Sequence, residues 1–234
     1  MTMIEINLQT VRDRLTAACQ AAGRNPHDVQ LLAVSKTWGP DAVAQAFAAG
    51  QTAFGENYIQ EAVEKITTLR HLPLQWHCIG PIQSNKTRLV AAHFDWVHTV
   101  DRLKTAQRLS EQRPPGLAPL QVCIQVNVDG GDTKSGVRPE DALALAQQVA
   151  ALPNLRLRGV MSIPEVAPDF VAACALFKRV KAAFDALNAA GLALDTLSMG
   201  MSADMEAAIH AGSTMVRVGT AIFGGRTYPA TPAG

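Results

Sequence analysis

From residue 30 to residue 219, short apolar runs alternate with alanine-rich, helix-like stretches. No other feature constrains the fold as tightly. The strand-like runs are 30–36 (QLLAVSK), 53–56 (AFGE), 75–80 (QWHCIG), 96–100 (WVHTV), 120–128 (LQVCIQVNV), 156–163 (RLRGVMSI), 195–200 (DTLSMG) and 215–219 (MVRVG). The helix-like stretches between them are 40–50, 57–70, 84–92, 102–112, 139–151, 168–190 and 203–211. The punctuation agrees. PDAVAQAFAAG opens on a proline at the first helical position and stops on glycine, and DALNAAG and MEAAIHAG end on glycine the same way. Consecutive strands separated by a helix must pair in parallel, because a parallel neighbour needs a crossover. Eight such units predict an α/β fold: a single closed (β/α)8 barrel (TIM barrel), with an extra helix over about 4–22 ahead of it. An open Rossmann-like sheet is the competing architecture. Its GxGxxG fingerprint is missing from the first strand-to-helix turn, which reads SKTWGPD. No linker breaks the pattern, so residues 1–226 are expected to form one domain and 227–234 a loose tail.

Composition removes several functions. Apolar residues make up 48% of the chain, enough for a large core. A net charge of +1 gives no basic surface for nucleic acid. The apolar runs are too short for a membrane span, and the amphipathic N-terminus lacks the apolar segment of a signal peptide. Cys19, Cys78, Cys123 and Cys174 form no CxxC pair and read as buried reduced thiols, so a cytoplasmic location is expected.

In a barrel, chemistry collects at the C-terminal strand ends and the loops that follow. Of seven lysines, Lys36 alone closes an apolar strand. The other six fall in helices or loops where solvated heads are expected. A lysine at the barrel mouth is partly desolvated, which frees the amine for imine formation with a carbonyl. An ion pair with Glu56 or Asp101 is the competing reading of Lys36. The loops after strands seven and eight have the character of an anion site. Ser202 is placed as N-cap of the following helix, and Gly219 and Thr220 let backbone approach an anion. A plain cap and a tight turn would explain them equally. Arg217 sits within an apolar strand and needs an acceptor, either a carboxylate or a ring nitrogen. A Schiff-base lysine, a phosphate cradle and an arginine for a pyridine nitrogen together make a pyridoxal phosphate site. His77, His98 and Glu56 lie near one another but form no local metal motif, so no metal is expected. Lys134, in the polar loop GDTKSG, could touch an anion or be solvated.

The stretches LLAVSKTWG, FGENYIQEA, WHCIGPIQSNK, VNVDGGDTKSG, LRGVMSIP and LSMGMSADMEAAIHAGSTMVRVGTAIFGGR resemble the pyridoxal phosphate homeostasis proteins (YggS/PROSC type) over roughly residues 5–226. Small departures occur at Cys78 and Val128–Asp129. The resemblance implies a barrel like the N-terminal domain of alanine racemase. It implies pyridoxal 5'-phosphate bound as an imine on Lys36, with phosphate contacts from Ser202, Gly219 and Thr220. Arg217 would face the ring nitrogen, and Asn57 and Met201 would line the site. It further implies a role in cofactor homeostasis, as a carrier or buffer rather than an enzyme, with apo forms of pyridoxal phosphate-dependent enzymes as candidate recipients. A second cofactor molecule at Lys134 is left open.

Two residue-level observations bear on catalysis. A racemase of this type needs a second base, a tyrosine from a C-terminal domain that this chain is expected to lack. The two tyrosines, Tyr58 and Tyr228, are poorly placed for that role, and Trp38 stands where racemases carry a tyrosine. A monomer is expected without that domain. A racemase or lyase, and a Schiff-base aldolase acting on a sugar phosphate, are the competing activities.

Overall fold

A computed structural model of the chain describes residues 1–130 and 135–225. The expected tail at 227–234, Tyr228 and Lys134 lie outside the described residues.

Eight parallel strands close in chain order: β1 (Gln30–Val34), β2 (Ala53–Glu56), β3 (Gln75–Cys78), β4 (Trp96–Val100), β5 (Leu120–Gln125), β6 (Leu155–Met161), β7 (Thr196–Met201) and β8 (Met215–Val218). β8 returns to β1 through the register Leu32↔Arg217 and Ala33↔Val218, so no sheet edge is left open. The crossovers carry α2 (Pro40–Ala48), α3 (Ile59–Thr68), α4 (Thr87–His93), α5 (Leu103–Gln112), α6 (Pro139–Ala150), α7 (Phe170–Ala189) and α8 (Met205–His210). The extra helix, α1 (Met3–Ala21), starts with a capping box between Thr2 and Glu5 and packs against α2, α8 and a short α9 (Thr220–Phe223). The sequence pattern predicts α1 to α8; α9 is a single turn too short to leave a period.

Strand alternation sorts side chains between two cores. Outward residues such as Ala33, Phe54, Val97, Leu197 and Val216 join the large cluster under the helices. Inward residues make smaller clusters: Leu32, Val34, Ala53, Ile79 and Met215 in one, Trp96, Cys123 and Met161 in another. His77, His98, Ser198 and Arg217 are fully or almost fully buried. The four cysteines are buried and free, and burial pushes the Cys78 and Cys123 thiols up to about 12.

Five strands end earlier than the apolar runs suggest: β1 at Val34, β3 at Cys78, β5 at Gln125, β6 at Met161 and β8 at Val218. At β1 the reason is visible. Ser35 N–H still reaches Gly55 O (3.0 Å), but Trp38 N–H then bonds back to Ser35 O (3.1 Å), and Thr37 takes φ +67°. Lys36 therefore lies in a tight turn just past the strand.

Candidate active-site cavity at the barrel mouth

Lys36 lies in the turn two residues beyond the inward-facing Val34, at the mouth of the barrel. It is half-buried and lines a mouth cavity of about 450 Å³ together with Val34. All seven residues expected at the site line this one cavity: Lys36, Asn57, Met201, Ser202, Arg217, Gly219 and Thr220. Its volume lies within the range of about 300–1,000 Å³ of sites for small organic ligands. Trp38, Ile79 and Ile163 add apolar wall that the strand-end reading does not supply, and Trp38 stacks on Phe223 with ring centroids 6.0 Å apart.

The ion-pair reading of Lys36 fails. Among the described residues no carboxylate lies within salt-bridge distance of it. Glu56 is taken by Lys65 at 2.6 Å, and Asp101 pairs with Arg102 at 3.5 Å. The expectation that every other lysine is solvated also fails at Lys65, which is 3% exposed. Its ammonium donates to Glu56 Oε1, to Ser35 O (2.9 Å) and to Glu61 Oε1 (3.1 Å), while Glu61 Oε1 accepts from Thr37 N–H (2.7 Å). These bonds grip the backbone on both sides of Lys36. The helical spacing of Glu61 and Lys65 is the one sequence signal for this cluster. Burial pushes the Glu56 carboxyl above its ordinary value of 4.5, outweighing Lys65 and the Ser35 hydroxyl.

Arg217 projects inward from β8 and is 4% exposed. Its Nη1 donates to Ser198 Oγ (2.8 Å) and its Nη2 to Ser162 O (3.1 Å). Both acceptors are neutral, and no carboxylate among the described residues pairs with it. Burial lowers the guanidinium to about 10, so it stays charged at neutral pH. The carboxylate partner is therefore not found among the described residues, and three of the five N–H donors have no partner there. Asn57 is fixed by a close approach: a Cβ on Gly80 would stand 2.3 Å from Asn57 O. Asn57 lines the cavity, and its Oδ1 is buried with no hydrogen-bond partner among the described residues.

The loop after β7 corrects one expectation. Ser202 is not the N-cap of α8, because the helix begins later, at Met205, after a turn through residues 202–204. Asp204 precedes the helix, and its Oδ1 accepts from Met201 N–H (2.6 Å). Gly200, at φ +95° with no room for a Cβ beside Ala208, allows the bend that carries Ser202 over the cavity. From outside, Arg14 of α1 grips the same loop, donating from Nη2 to Ser202 O (2.7 Å) and to Glu206 Oε2 (2.7 Å). No local pattern in the sequence identifies Arg14. Across the cavity, a Cβ on Gly219 would stand 3.1 Å from Val34 O, and the Thr220 and Ala221 N–H groups have no backbone partner among the described residues, while Ile222 and Phe223 N–H bond to Gly219 O.

His77 and His98 bond to each other, Nδ1 to Nε2 at 2.9 Å. Among the described residues no group of three or more His, Cys, Asp or Glu side chains could hold a metal ion.

Among the described residues the arrangement offers an amine and a guanidinium without carboxylate partners, an amide oxygen without a donor and backbone N–H groups without acceptors around one cavity. That donor set fits a ligand with a carbonyl, an aromatic nitrogen and a phosphate. Known proteins point the same way. Residues 6–227 match the family described as alanine racemase, N-terminal domain. A Pseudomonas aeruginosa pyridoxal phosphate homeostasis protein is 60% identical over 98% of this chain and 99% of its own length. PipY of Synechococcus elongatus, solved with PLP bound, is 37% identical, with a TM-score of 0.83 over 94% of this chain and 100% of that one. An alanine racemase of Clostridium difficile, at 18% identity and a TM-score of 0.72 over 97% of this chain and 57% of its own, shares the fold. The chain belongs to the pyridoxal phosphate homeostasis protein family, built on the barrel of the alanine racemase N-terminal domain.

Proposed function

We propose that this barrel, over residues 1–226, binds pyridoxal 5'-phosphate at its mouth and serves cofactor homeostasis as a carrier or buffer. One observation carries the reading. Lys36 and Arg217 share a cavity, neither has a carboxylate partner among the described residues, and Glu56, at the end of the neighbouring strand, is sequestered by Lys65. A half-buried amine and a buried cation kept apart from anions await a ligand that supplies the acceptors. When bound, the cofactor supplies an aldehyde for covalent attachment to an amine and a ring that withdraws electrons. Lys36 is the attachment point. Ser202, Gly219 and Thr220 hold the phosphate, Arg217 meets the ring nitrogen as a donor, and Asn57 and Met201 flank the ring. A donor at that nitrogen that keeps its own proton leaves the ring a weaker electron sink, which suits holding better than turnover. Tyr58 is half exposed and does not line the cavity, so the described residues offer no tyrosine as a second base.

Mixing the protein with pyridoxal phosphate should give the visible absorption of the lysine-bound cofactor, and Lys36→Ala should abolish it. A colourless wild-type protein overturns the cofactor reading, and a coloured Lys36→Ala overturns the lysine. Incubating the loaded protein with a panel of amino acids tests the carrier role, because sustained inversion of chirality would establish a racemase instead. The recipients proposed are apo pyridoxal phosphate-dependent enzymes, which should gain activity from the loaded protein. A monomer is proposed, with sedimentation as its test. No helix among the described residues is long and apolar enough to cross a membrane.

A further inference from the structure

The polar groups inside the barrel form one connected line. Arg217 on β8, Ser198 on β7, His98 on β4 and His77 on β3 are joined by bonds of 2.8, 2.9 and 2.9 Å, and His77 Nε2 reaches Gln75 Oε1 at 3.0 Å. The chemistry of these groups gives the line a direction. A guanidinium only donates, so Arg217 gives a proton to Ser198 Oγ. The Ser198 hydroxyl then spends its own hydrogen on His98 Nδ1, which must be unprotonated. His98 carries its proton on Nε2 and donates to His77 Nδ1, and His77 donates from Nε2 to the Gln75 carbonyl oxygen. From the Ser198 hydroxyl to the Gln75 carbonyl oxygen, each hydroxyl and imidazole hydrogen has an acceptor and each acceptor a hydrogen. Reversed, the line makes Ser198 Oγ accept from both Arg217 and His98, and the buried hydroxyl hydrogen has no acceptor among the described residues. Such a group costs free energy, so the forward direction wins.

The surroundings reinforce this order. Trp96 stacks on His77 at 5.2 Å with an interplanar angle of 11°, which fixes the ring that receives from His98. Both imidazoles are fully buried, and burial favours their neutral forms. The guanidinium at the other end is anchored twice, through Ser198 and through Ser162 O.

We infer that this line is a one-way hydrogen-bond relay that orients the Arg217 guanidinium toward the ligand, with Ser198, His98 and His77 as positioning residues. The inference rests on the pyridoxal phosphate reading for the identity of the ligand. The relay itself belongs to the free protein. None of these three residues lines the cavity. Their effect reaches the ligand through Arg217 alone.

Two measurements test it. Long-range proton–nitrogen NMR on the ligand-free protein at neutral pH should show His77 and His98 neutral, each protonated on Nε2. A proton on His98 Nδ1, or a doubly protonated imidazole, overturns the relay whatever the ligand proves to be. Ser198→Ala removes the middle of the line. It should weaken pyridoxal phosphate binding about five- to tenfold and shift the pH midpoint of the bound cofactor's visible absorption, with circular dichroism unchanged. Wild-type affinity and midpoint in a folded Ser198→Ala overturn the positioning role. If that variant does not fold, His77→Phe, remote from Arg217, takes its place with the same two readouts. A wild-type protein that fails to bind pyridoxal phosphate refutes the ligand, while the nitrogen spectra still decide the relay.

Discussion

Lys65 Nζ lies 2.6 Å from Glu56 Oε1 with both side chains sealed from solvent, and among the described residues no carboxylate is left for Lys36. A buried pair is worth little against an apolar substitute, but removing one partner strands the other's charge. Lys65→Met should therefore destabilise the protein by about 3–5 kcal/mol, and the double variant with Glu56→Gln should recover much of that. Urea unfolding measures both. A loss below about 1 kcal/mol in the single variant would contradict the sealed pair.

The buried imidazoles should make the protein acid-labile. Burial lowers His77 from 6.5 to about 3 and carries His98 well below 6.5. The unfolded chain therefore takes up protons below pH 6.5 that the folded chain refuses, so stability falls as pH drops from 6.5 toward 3. Each imidazole should cost about 1.4 kcal/mol per pH unit in that window. Glu56, shifted upward, acts with the opposite sign: its contribution is fully present below 4.5 and is lost as pH rises. Unfolding free energies from pH 7 to pH 5 should fall less steeply in His77→Phe than in wild type. Parallel curves would show that His77 takes no part.

Arg14→Met tests whether the extra helix serves the cavity. The side chain holds Ser202 O and Glu206 across the β7–α8 turn. It is partly exposed, so stability should change by less than about 1 kcal/mol. Pyridoxal phosphate affinity should fall about two- to tenfold as the turn loosens. An isothermal titration with unchanged affinity would remove α1 from the site.

Gly80→Ala places a methyl group 2.3 Å from Asn57 O and 2.8 Å from Asn57 Cα. Both obstacles are backbone, so relief requires the strand ends to part. The expected cost is at or above the upper end of the usual 1–3 kcal/mol for overpacking, about 3 kcal/mol. Thermal unfolding reads this cost. Binding should weaken in parallel, because Asn57 moves with its backbone.

The sequence alone determined the barrel, because the signals for its elements are local. Alternating apolar runs mark the strands, and Pro40 and Gly50 bracket α2 where the pattern places them. The place of Lys36 at the barrel mouth follows from its position just past a strand end, and the inward aim of Arg217 from its place between Val216 and Val218. The seven expected site residues could be found together because strand ends and their loops converge wherever a barrel closes. Tertiary structure alone decided what each residue touches. Lys65 looked solvated on an amphipathic helix until closure of the barrel set it against Glu56. Ser202 had the composition of a cap, but the turn after β7 runs through residue 204 before α8 begins. His98 and Ser198 are 100 residues apart and meet because β4 and β7 face each other across the interior. Capping and periodicity act within a few residues of chain. Hydrogen-bond partners inside a closed barrel are set by register and strand order, which no short stretch of sequence encodes.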